Sequence, residues 1–122
     1  MKIMLLANEA PDDFALRDNQ EAFDGYMGGW YAYGESLEKA GVFLQGAALE
    51  PPSTATVVSV RNGTRKVEDG PFPDAKEQLG GFFIIDVDNL AEAAGWAAKC
   101  PAAKAGCVDV RVIPDYGQES AQ

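Results

Sequence analysis

The 122-residue chain contains no histidine at all. Histidine is the only side chain whose unperturbed pKa lies in the range of about 5 to 8. Its absence excludes Ser-His and Cys-His nucleophile pairs and any metal site built on histidine. An acid–base catalyst in this chain must therefore be a carboxylate, a lysine, a tyrosine or a cysteine with a shifted pKa.

Cysteines and long apolar runs are also scarce. The two cysteines, Cys100 and Cys107, have a C-x6-C spacing that matches no zinc or redox motif, so we expect reduced, partly buried thiols. The apolar run near the N-terminus extends only from Ile3 to Leu6, far short of the roughly 20 residues that span a membrane. It also lacks a signal-peptide cleavage site, and we expect a cytoplasmic protein.

The chain has few basic residues. Its 10 lysines and arginines and 19 acidic residues give a formal net charge of −9. An acidic surface disfavours nucleic acids and anionic membranes as partners, since both are bound mainly through Lys and Arg. Phosphate-binding glycine motifs are missing, and the acidic residues Glu9, Asp12, Asp13 and Asp18 lack the spacing and glycine of a calcium loop. We therefore interpret those four residues as solvated surface and predict neither a metal nor a cofactor.

The residues that are present are sufficient for one domain over 1–122, with a loose tail over 114–122. Turn residues predict surface loops over 8–20 and 70–81, the second with a short helix from Asp74. Hydrophobic periodicity predicts strands over residues 1–7, 42–49, 55–61, 64–69, 82–87 and 108–112.

Two helices are predicted from start signals and apolar stripes. Asp18 and Glu21 have the spacing of a capping box, and Gly41 is placed to end this first helix. Asn89 opens the second helix with the same spacing. The predicted inward stripes are Phe23, Met27, Trp30, Gly34 and Leu37 on the first helix, and Leu90, Ala94 and Ala97 on the second.

The dipeptide Asn62-Gly63 separates two of the predicted strands and is a strong hairpin signal, because both turn residues tolerate a positive φ. A two-residue turn places Val60 opposite Arg65 and Val58 opposite Val67. This register puts Val58 and Val67 on the same face of the hairpin, which supports the prediction.

The order β-α-β, hairpin, β-α-β predicts an α+β fold. It is a ferredoxin-like βαββαβ arrangement with an inserted hairpin, in which two helices back one face of a mixed sheet. Residues 3–6 and 82–85 are apolar on both faces of that sheet. A large exposed apolar patch is unusual on a monomer, so we predict that another copy covers the second face in a two-fold homodimer.

Residues 67–82, VEDGPFPDAKEQLGGF, contain the tetrapeptide DGPF followed by KE and by glycine and phenylalanine. This segment resembles the signature of the YCII-related family, in its DGPF branch. The opening MKIMLL, the stretch 40–42 and the closing segment 100–112 fit as well, so the resemblance covers nearly the whole chain. It implies a ferredoxin-like fold that dimerises by sheet-to-sheet packing into a dimeric α+β barrel.

The resemblance implies no settled function. Some relatives look like small enzymes that use a histidine and an aspartate, a mechanism that cannot transfer to a chain without histidine. Some DGPF proteins occur near or fused to extracytoplasmic-function sigma factors, which implies a regulatory or stress role.

Asp69 and Glu77 are the candidate catalytic carboxylates. Asp69 ends the second hairpin strand directly before Gly70-Pro71. It is either an acid–base or ligand-binding group at a pocket rim, or a side chain that hydrogen-bonds its own turn. Glu77 is either a supporting carboxylate of the site or the cap of a turn that begins at Asp74.

Lys76, Arg111, Phe72 and Trp30 are the candidate substrate-binding residues. Lys76 and Arg111 are suited to binding an anionic group of the substrate. Alternatively, Lys76 is a solvated or ion-paired surface residue, and Arg111 forms a structural ion pair with Asp109 or Asp86. Arg111 alternates with valines and should point to the sheet face opposite to them. Phe72 and Trp30 would contact the substrate, but both are also typical of core packing.

Two functions are consistent with these residues. The first is a small-molecule enzyme with a carboxylate-centred pocket between sheet and helix, near the dimer cleft. The second is a non-catalytic dimer that binds a small ligand or a partner protein, which the missing histidine favours.

Overall fold

The computed structural model describes residues 1–70 and 77–116. The predicted short helix from Asp74 and the tail residues 117–122 lie outside these ranges. Three short 3₁₀ turns connect the main elements. In chain order these elements are β1 (Lys2–Glu9), α1 (Pro11–Ala15), α2 (Gln20–Lys39), β2 (Phe43–Ala48), β3 (Thr56–Arg61), β4 (Thr64–Asp69), β5 (Gln78–Asp86), α3 (Leu90–Lys99) and β6 (Cys107–Val112).

Four of the six strands form one sheet in the order β2-β5-β1-β6. Each neighbouring pair is antiparallel, so the predicted mixed sheet is wrong. The reason is that β5 lies between β1 and β2, which run in the same direction but are not neighbours. The predicted order of strands, helices and hairpin along the chain is confirmed.

The core lies on one face of this sheet, because alternate side chains of β1 point into it. Ile3 and Leu5 are 0% and 1% exposed, as expected from the two-residue period of a strand. They pack with Leu37 of α2 and with Ala97 of α3, so both long helices cover the same face. The opposite face carries the intervening, half-buried apolar residues Met4, Leu6, Phe82 and Ile84.

Helix α2 begins one residue later than the capping box predicted. The side chain of Asn19 accepts hydrogen bonds from the backbone N–H groups of Glu21 and Ala22, at 3.0 and 3.1 Å. Asp18 instead ends a 3₁₀ turn that precedes the helix. Gly41 has φ of +74°, the left-handed conformation expected of the residue after a helix, so the predicted end is confirmed.

The predicted inward stripes are partly wrong. The buried residues of α2 are Tyr33 and Leu37, and those of α3 are Ala93 and Ala97. Leu90, the first residue of α3, is half exposed. Of the stripe predicted on the first helix, only Leu37 is buried. The other four residues of that stripe line a cleft between α2 and the sheet: Phe23, Met27, Trp30 and Gly34.

Both predicted loops are shorter than the sequence indicated. Strand β1 continues to Glu9, and α1 and a 3₁₀ turn fill most of residues 11–18. Strand β5 starts at Gln78 rather than at residue 82. Glu9 is 1% exposed, so its assignment to solvated surface is wrong.

Strands β3 and β4 form a separate two-stranded hairpin. Val58 pairs with Val67 and Val60 with Arg65, which confirms the predicted register. The turn residues Asn62 and Gly63 have φ of 52° and 77°, the positive values that a tight two-residue hairpin turn requires.

Within the described residues, no helix combines the length and the apolar character needed to cross a bilayer.

Candidate functional site

A cleft of about 590 Å³ separates α2 from the edge of the sheet formed by β2 and β5. Its helix wall is mainly aromatic and apolar, and its outer rim carries Glu35 and Glu38. Residues of α2 that line the cleft include Phe23, Tyr26, Met27, Trp30, Tyr31 and Gly34.

The cleft exists because the strands opposite α2 carry small residues. Gly46, Ala47 and Ala48 of β2 and Gly80 and Gly81 of β5 form its floor. A Cβ added to Gly81 would lie 2.6 Å from the carbonyl oxygen of Ala47, which is too close for a real contact. The close approach of the two strands therefore requires glycine there, and neither Gly80 nor Gly81 places a side chain in the space under this part of α2.

Aromatic rings cluster at one side of the cleft around Phe83 of β5. Trp30 stacks on Phe83 with centroids 6.2 Å apart, and Tyr33 meets the same ring edge-on at 5.2 Å. Phe43 contacts it at 6.4 Å, also edge-on. Rings that hold each other in these preferred geometries form a rigid apolar wall.

At the inner end of the cleft, Glu9, Arg17 and Tyr26 form a partly buried polar group. Nη2 of Arg17 lies 3.0 Å from Oε2 of Glu9, and Nε of Arg17 donates to the Tyr26 hydroxyl at 3.2 Å. The Tyr26 hydroxyl donates to Oε1 of Glu9. Tyr26 and Arg17 line the cleft, whereas Glu9 lies behind them.

Arg17 joins four separate elements through this group. Besides Glu9 of β1 and Tyr26 of α2, it donates to the carbonyl oxygen of Leu49 after β2 and to that of Gly80 in β5, the latter at 3.1 Å. Its guanidinium also lies 4.1 Å from the centroid of the Phe14 ring, a cation–π distance. The charged group is therefore fixed in position before any ligand binds.

The position of Tyr26 raises the pKa of its hydroxyl above the usual 10.0. The main cause is burial, and the hydrogen bond to the Glu9 carboxylate acts in the same direction, while Arg17 opposes both. At neutral pH the phenol is therefore protonated and is a hydrogen-bond donor.

The structure assigns the predicted site residues to different places. Trp30 lines the cleft, whereas Asp69 is exposed at the base of the hairpin and accepts a hydrogen bond from Thr56 at 3.1 Å. Arg111 lies on the sheet face opposite to that of the core-packed Val108 and Val110, as its alternation predicted. Phe72 and Lys76 lie outside the described residues.

Glu77 contacts a cysteine. The thiol of Cys107 donates to Oε1 of Glu77 at 3.2 Å, and this contact is the main reason that the pKa of the thiol is raised. Cys107 is exposed and Cys100 is buried, so the expectation of two partly buried thiols is wrong. Across residues 1–70 and 77–116, no three acidic or cysteine side chains converge as a metal site would require.

Glu9, Arg17 and Tyr26 were not among the site residues predicted from the sequence. A signal for Glu9 was present, because it continues the two-residue period of the buried positions Ile3, Leu5 and Ala7. A carboxylate at a buried position of a strand needs a charged or hydrogen-bonding partner, which predicts a functional or structural polar group there. Arg17 and Tyr26 have no comparable signal in the sequence.

Comparisons with known proteins place the chain in a family. The family model of the YCII-related domain matches residues 1–116. The uncharacterized protein R00369 of Rhizobium meliloti (strain 1021) is 38% identical over 72 residues, which cover 57% of this chain and 58% of that protein. The aligned part is thus little more than half of that relative.

Among solved structures, the chain is similar to 5-chloro-2-hydroxyhydroquinone dehydrochlorinase (TftG) from Burkholderia phenoliruptrix AC1100, in complex with 2,5-dihydroxybenzoquinone. The TM-score is 0.49 at 19% sequence identity, covering 93% of this chain and 94% of that one. The family model, by contrast, spans nearly every residue of the sequence, and the chain belongs to the family of YCII-related domains.

Proposed function

We propose that the cleft under α2 binds a small aromatic molecule and that the protein is a small-molecule enzyme with a carboxylate-centred site. One observation carries the proposal: an aromatic-walled cleft of about 590 Å³ ends at the fixed group Glu9–Arg17–Tyr26. The volume lies in the range of about 300 to 1,000 Å³ that is typical of small-molecule sites. Apolar walls with a few convergent polar groups are also typical of such sites.

The charges at the cleft favour a neutral polar group on the ligand. Arg17 and Glu9 neutralise each other at the inner end, and the rim carries the carboxylates Glu35 and Glu38. Of these two, Glu35 pairs with Lys39 at 2.8 Å. An ionised carboxylate on the ligand would lose its hydration without gaining an unpaired cation. A hydroxyl such as that of a phenol would instead find a donor and an acceptor at Tyr26 and Arg17.

The inner group is suited to moving one proton. A ligand hydroxyl that donates to the Tyr26 oxygen transfers its proton there as the Tyr26 proton passes to Oε1 of Glu9. The product is a ligand oxyanion beside the Arg17 guanidinium, and the number of protons is unchanged. Glu9 acts through Tyr26 and is a positioning and proton-accepting residue behind the cleft wall.

The other predicted site residues remain proposals beside this group. Asp69 and Glu77 remain proposed catalytic carboxylates, and Phe72 remains a proposed substrate contact. Lys76 and Arg111 remain proposed anion contacts, but Arg111 lies on the sheet face without the long helices and would reach a ligand at the dimer cleft rather than one under α2. Trp30 contributes its ring to the cleft wall in either case.

The assembly that we propose is a two-fold homodimer of ferredoxin-like subunits, packed sheet to sheet as a dimeric α+β barrel. Met4, Leu6, Phe82 and Ile84 form an apolar strip on the sheet face that lacks the long helices. Burying this strip against its copy removes apolar surface from water at about 25 cal/mol per Å². The proposed dimer is a soluble, cytoplasmic protein that binds neither nucleic acid nor membranes.

A thermal-shift series tests the proposed ligand class. Phenol, benzoate and toluene share a ring but differ in the group that would reach Tyr26. We expect phenol to raise the melting temperature most, because only its hydroxyl matches the neutral inner end. A larger shift with benzoate would contradict the neutral-ligand argument.

Two variants assign the response to residues. Tyr26→Phe should reduce the phenol shift and leave the toluene shift unchanged, since only the hydroxyl is lost. Asp69→Asn should leave both shifts unchanged if the inner group alone holds the ligand. Loss of the phenol shift in Asp69→Asn would place Asp69 in the site and would contradict the assignment to Tyr26.

A second function is a non-catalytic, ligand-binding or regulatory dimer of the kind associated with stress and sigma-factor signalling. Its support is that each of the three polar side chains at the inner end has a bonding partner, and Arg17 joins four elements. Such a group can hold the fold together without chemistry. This function would be favoured if phenol binds but neither turnover nor proton exchange between the ligand and solvent depends on Tyr26.

A further inference from the structure

The hairpin β3–β4 stands apart from the four-stranded sheet and presents an apolar face to solvent. Val58, Val60 and Val67 share one face by register and are 57%, 59% and 50% exposed. All six residues of β4 are exposed, as are five of the six in β3. Exposed valines on a strand pair favour aggregation unless a specific surface covers them.

The tip of the same hairpin is the most basic part of an acidic chain. Arg61, Arg65 and Lys66 are three of the ten basic residues and lie within six positions. Arg65 lies on the valine face, opposite Val60. Lys66 is on the other face, where it pairs with Glu68 at 2.8 Å.

Residues 1–55 have the opposite charge. They contain nine acidic and three basic residues, a formal charge of 3 − 9 = −6. Glu35 and Glu38 of this segment lie at the outer rim of the cleft, one and two helical turns after Tyr31, which is 69% exposed. The rim thus combines exposed aromatic surface with negative charge, which matches the valines and arginines of the hairpin.

We propose that the hairpin is an arm that docks its valine face on the cleft rim of a second copy, with Arg65 near Glu38 of that copy. This inference rests on the homodimer proposed above and adds a second contact to it. Two copies with a charge of −9 each repel one another, and the arm places positive charge against the acidic rim. The docked arm would also cover the mouth of the cleft, so that each ligand site is completed by the partner.

A nucleic acid is a weaker occupant for the arm. Phosphate backbones are attracted to extended basic surfaces, whereas the hairpin has only three basic residues on a chain with a net charge of −9. The valines also need an apolar partner, which a phosphate backbone does not provide.

Sedimentation equilibrium on matched variants tests the arm. Val60→Glu places a carboxylate on the valine face, and Thr64→Glu makes the same charge change on the opposite face. Both positions are exposed, so neither variant should unfold the chain, which far-UV circular dichroism checks. We expect the dimer dissociation constant to rise about tenfold or more for Val60→Glu and to change less than about twofold for Thr64→Glu.

A charge swap tests where the arm docks. Arg65→Glu and Glu38→Lys should each weaken the dimer, and the double variant should recover most of the wild-type affinity, because the interaction is restored with its signs reversed. Weakening without recovery in the double variant would overturn docking at this rim.

The remaining outcomes separate the two proposals. A wild-type dimer whose dissociation constant is unchanged by Val60→Glu would overturn the arm and leave the sheet-to-sheet dimer standing. A wild-type monomer at all concentrations would overturn both assembly proposals, while the thermal-shift series with phenol tests the cleft independently. Binding of the chain to duplex DNA with a loss in Arg65→Glu would show that the arm has a different occupant and overturn the proposal.

Discussion

The carboxylate of Glu9 lies directly against the backbone of Gly80 on the neighbouring strand. A Cβ built on Gly80 would collide with Oε2 of Glu9 and would lie 2.9 Å from its Cδ and 3.2 Å from Nη2 of Arg17. Glycine at position 80 therefore makes room for the ion pair at the inner end of the cleft. The sheet position next to a buried carboxylate has no space for any side chain.

Gly80→Ala should destabilise the protein by displacing Glu9 from Arg17. Separating the partners of a buried ion pair costs about 3 to 5 kcal/mol, and the partial exposure of Arg17 makes the lower end of this range the expectation. Urea denaturation measures the change. Gly95→Ala in α3 is the control, because a Cβ there has no neighbour within 4 Å and alanine favours the helix. Equal stabilities of Gly80→Ala and the wild type would contradict the role of this contact.

Cys100 should make the protein less stable in alkali. Burial raises the pKa of its thiol from 9.0 to about 11, so above pH 9 the unfolded chain releases a proton that the native state keeps. The free energy of unfolding therefore falls as pH rises through this window, by about 1.4 kcal/mol near pH 10.

The cysteine pair provides the control for this effect. Cys100→Ala should lower stability at pH 8 by leaving a small cavity, but should show a smaller further loss between about pH 8 and pH 10. Cys107→Ala should keep the wild-type pH dependence more closely, because Cys107 is exposed. An identical alkaline slope in the wild type and in Cys100→Ala would rule out this thiol as the cause.

The exposed thiol of Cys107 should react with a thiol reagent in the native protein, but slowly. Its hydrogen bond to Glu77 raises its pKa and lowers the thiolate fraction. Glu77→Gln removes the carboxylate charge, so we expect faster labelling at pH 8, whereas Cys100 should be labelled only after unfolding. Slower labelling in Glu77→Gln would mean that Glu77 does not control this thiol.

Local patterns predicted much of the fold because they act over short distances. The turn Asn62-Gly63 determined the hairpin register, since a two-residue turn allows only one pairing of its strands. The continuous apolar segments of β1 and β5 correctly predicted strands that are apolar on both faces. The start of α2 was misplaced by one residue because Asp18 and Asn19 are both good helix caps, and only the folded backbone distinguishes them.

The candidate site was predicted less well because it depends on distant residues. The stripe Phe23, Met27, Trp30 and Gly34 has the period of a buried helix face, yet it faces a cleft. That outcome depends on small residues in β2 and β5, which the helical pattern does not contain. Glu9 was predicted to be a solvated surface residue like the acidic residues that follow it. In the folded chain it pairs instead with Arg17, eight residues later.

Calorimetric titration of phenol into two glycine variants of α2 tests the cleft most directly. A Cβ on Gly34 or on Gly28 meets no atom within 4 Å, but only Gly34 lines the cleft. Gly34→Leu should fill the cleft and weaken phenol binding by about tenfold or more, whereas Gly28→Leu should retain the wild-type affinity within about twofold. Wild-type affinity in Gly34→Leu would contradict the proposal that the cleft is the ligand site.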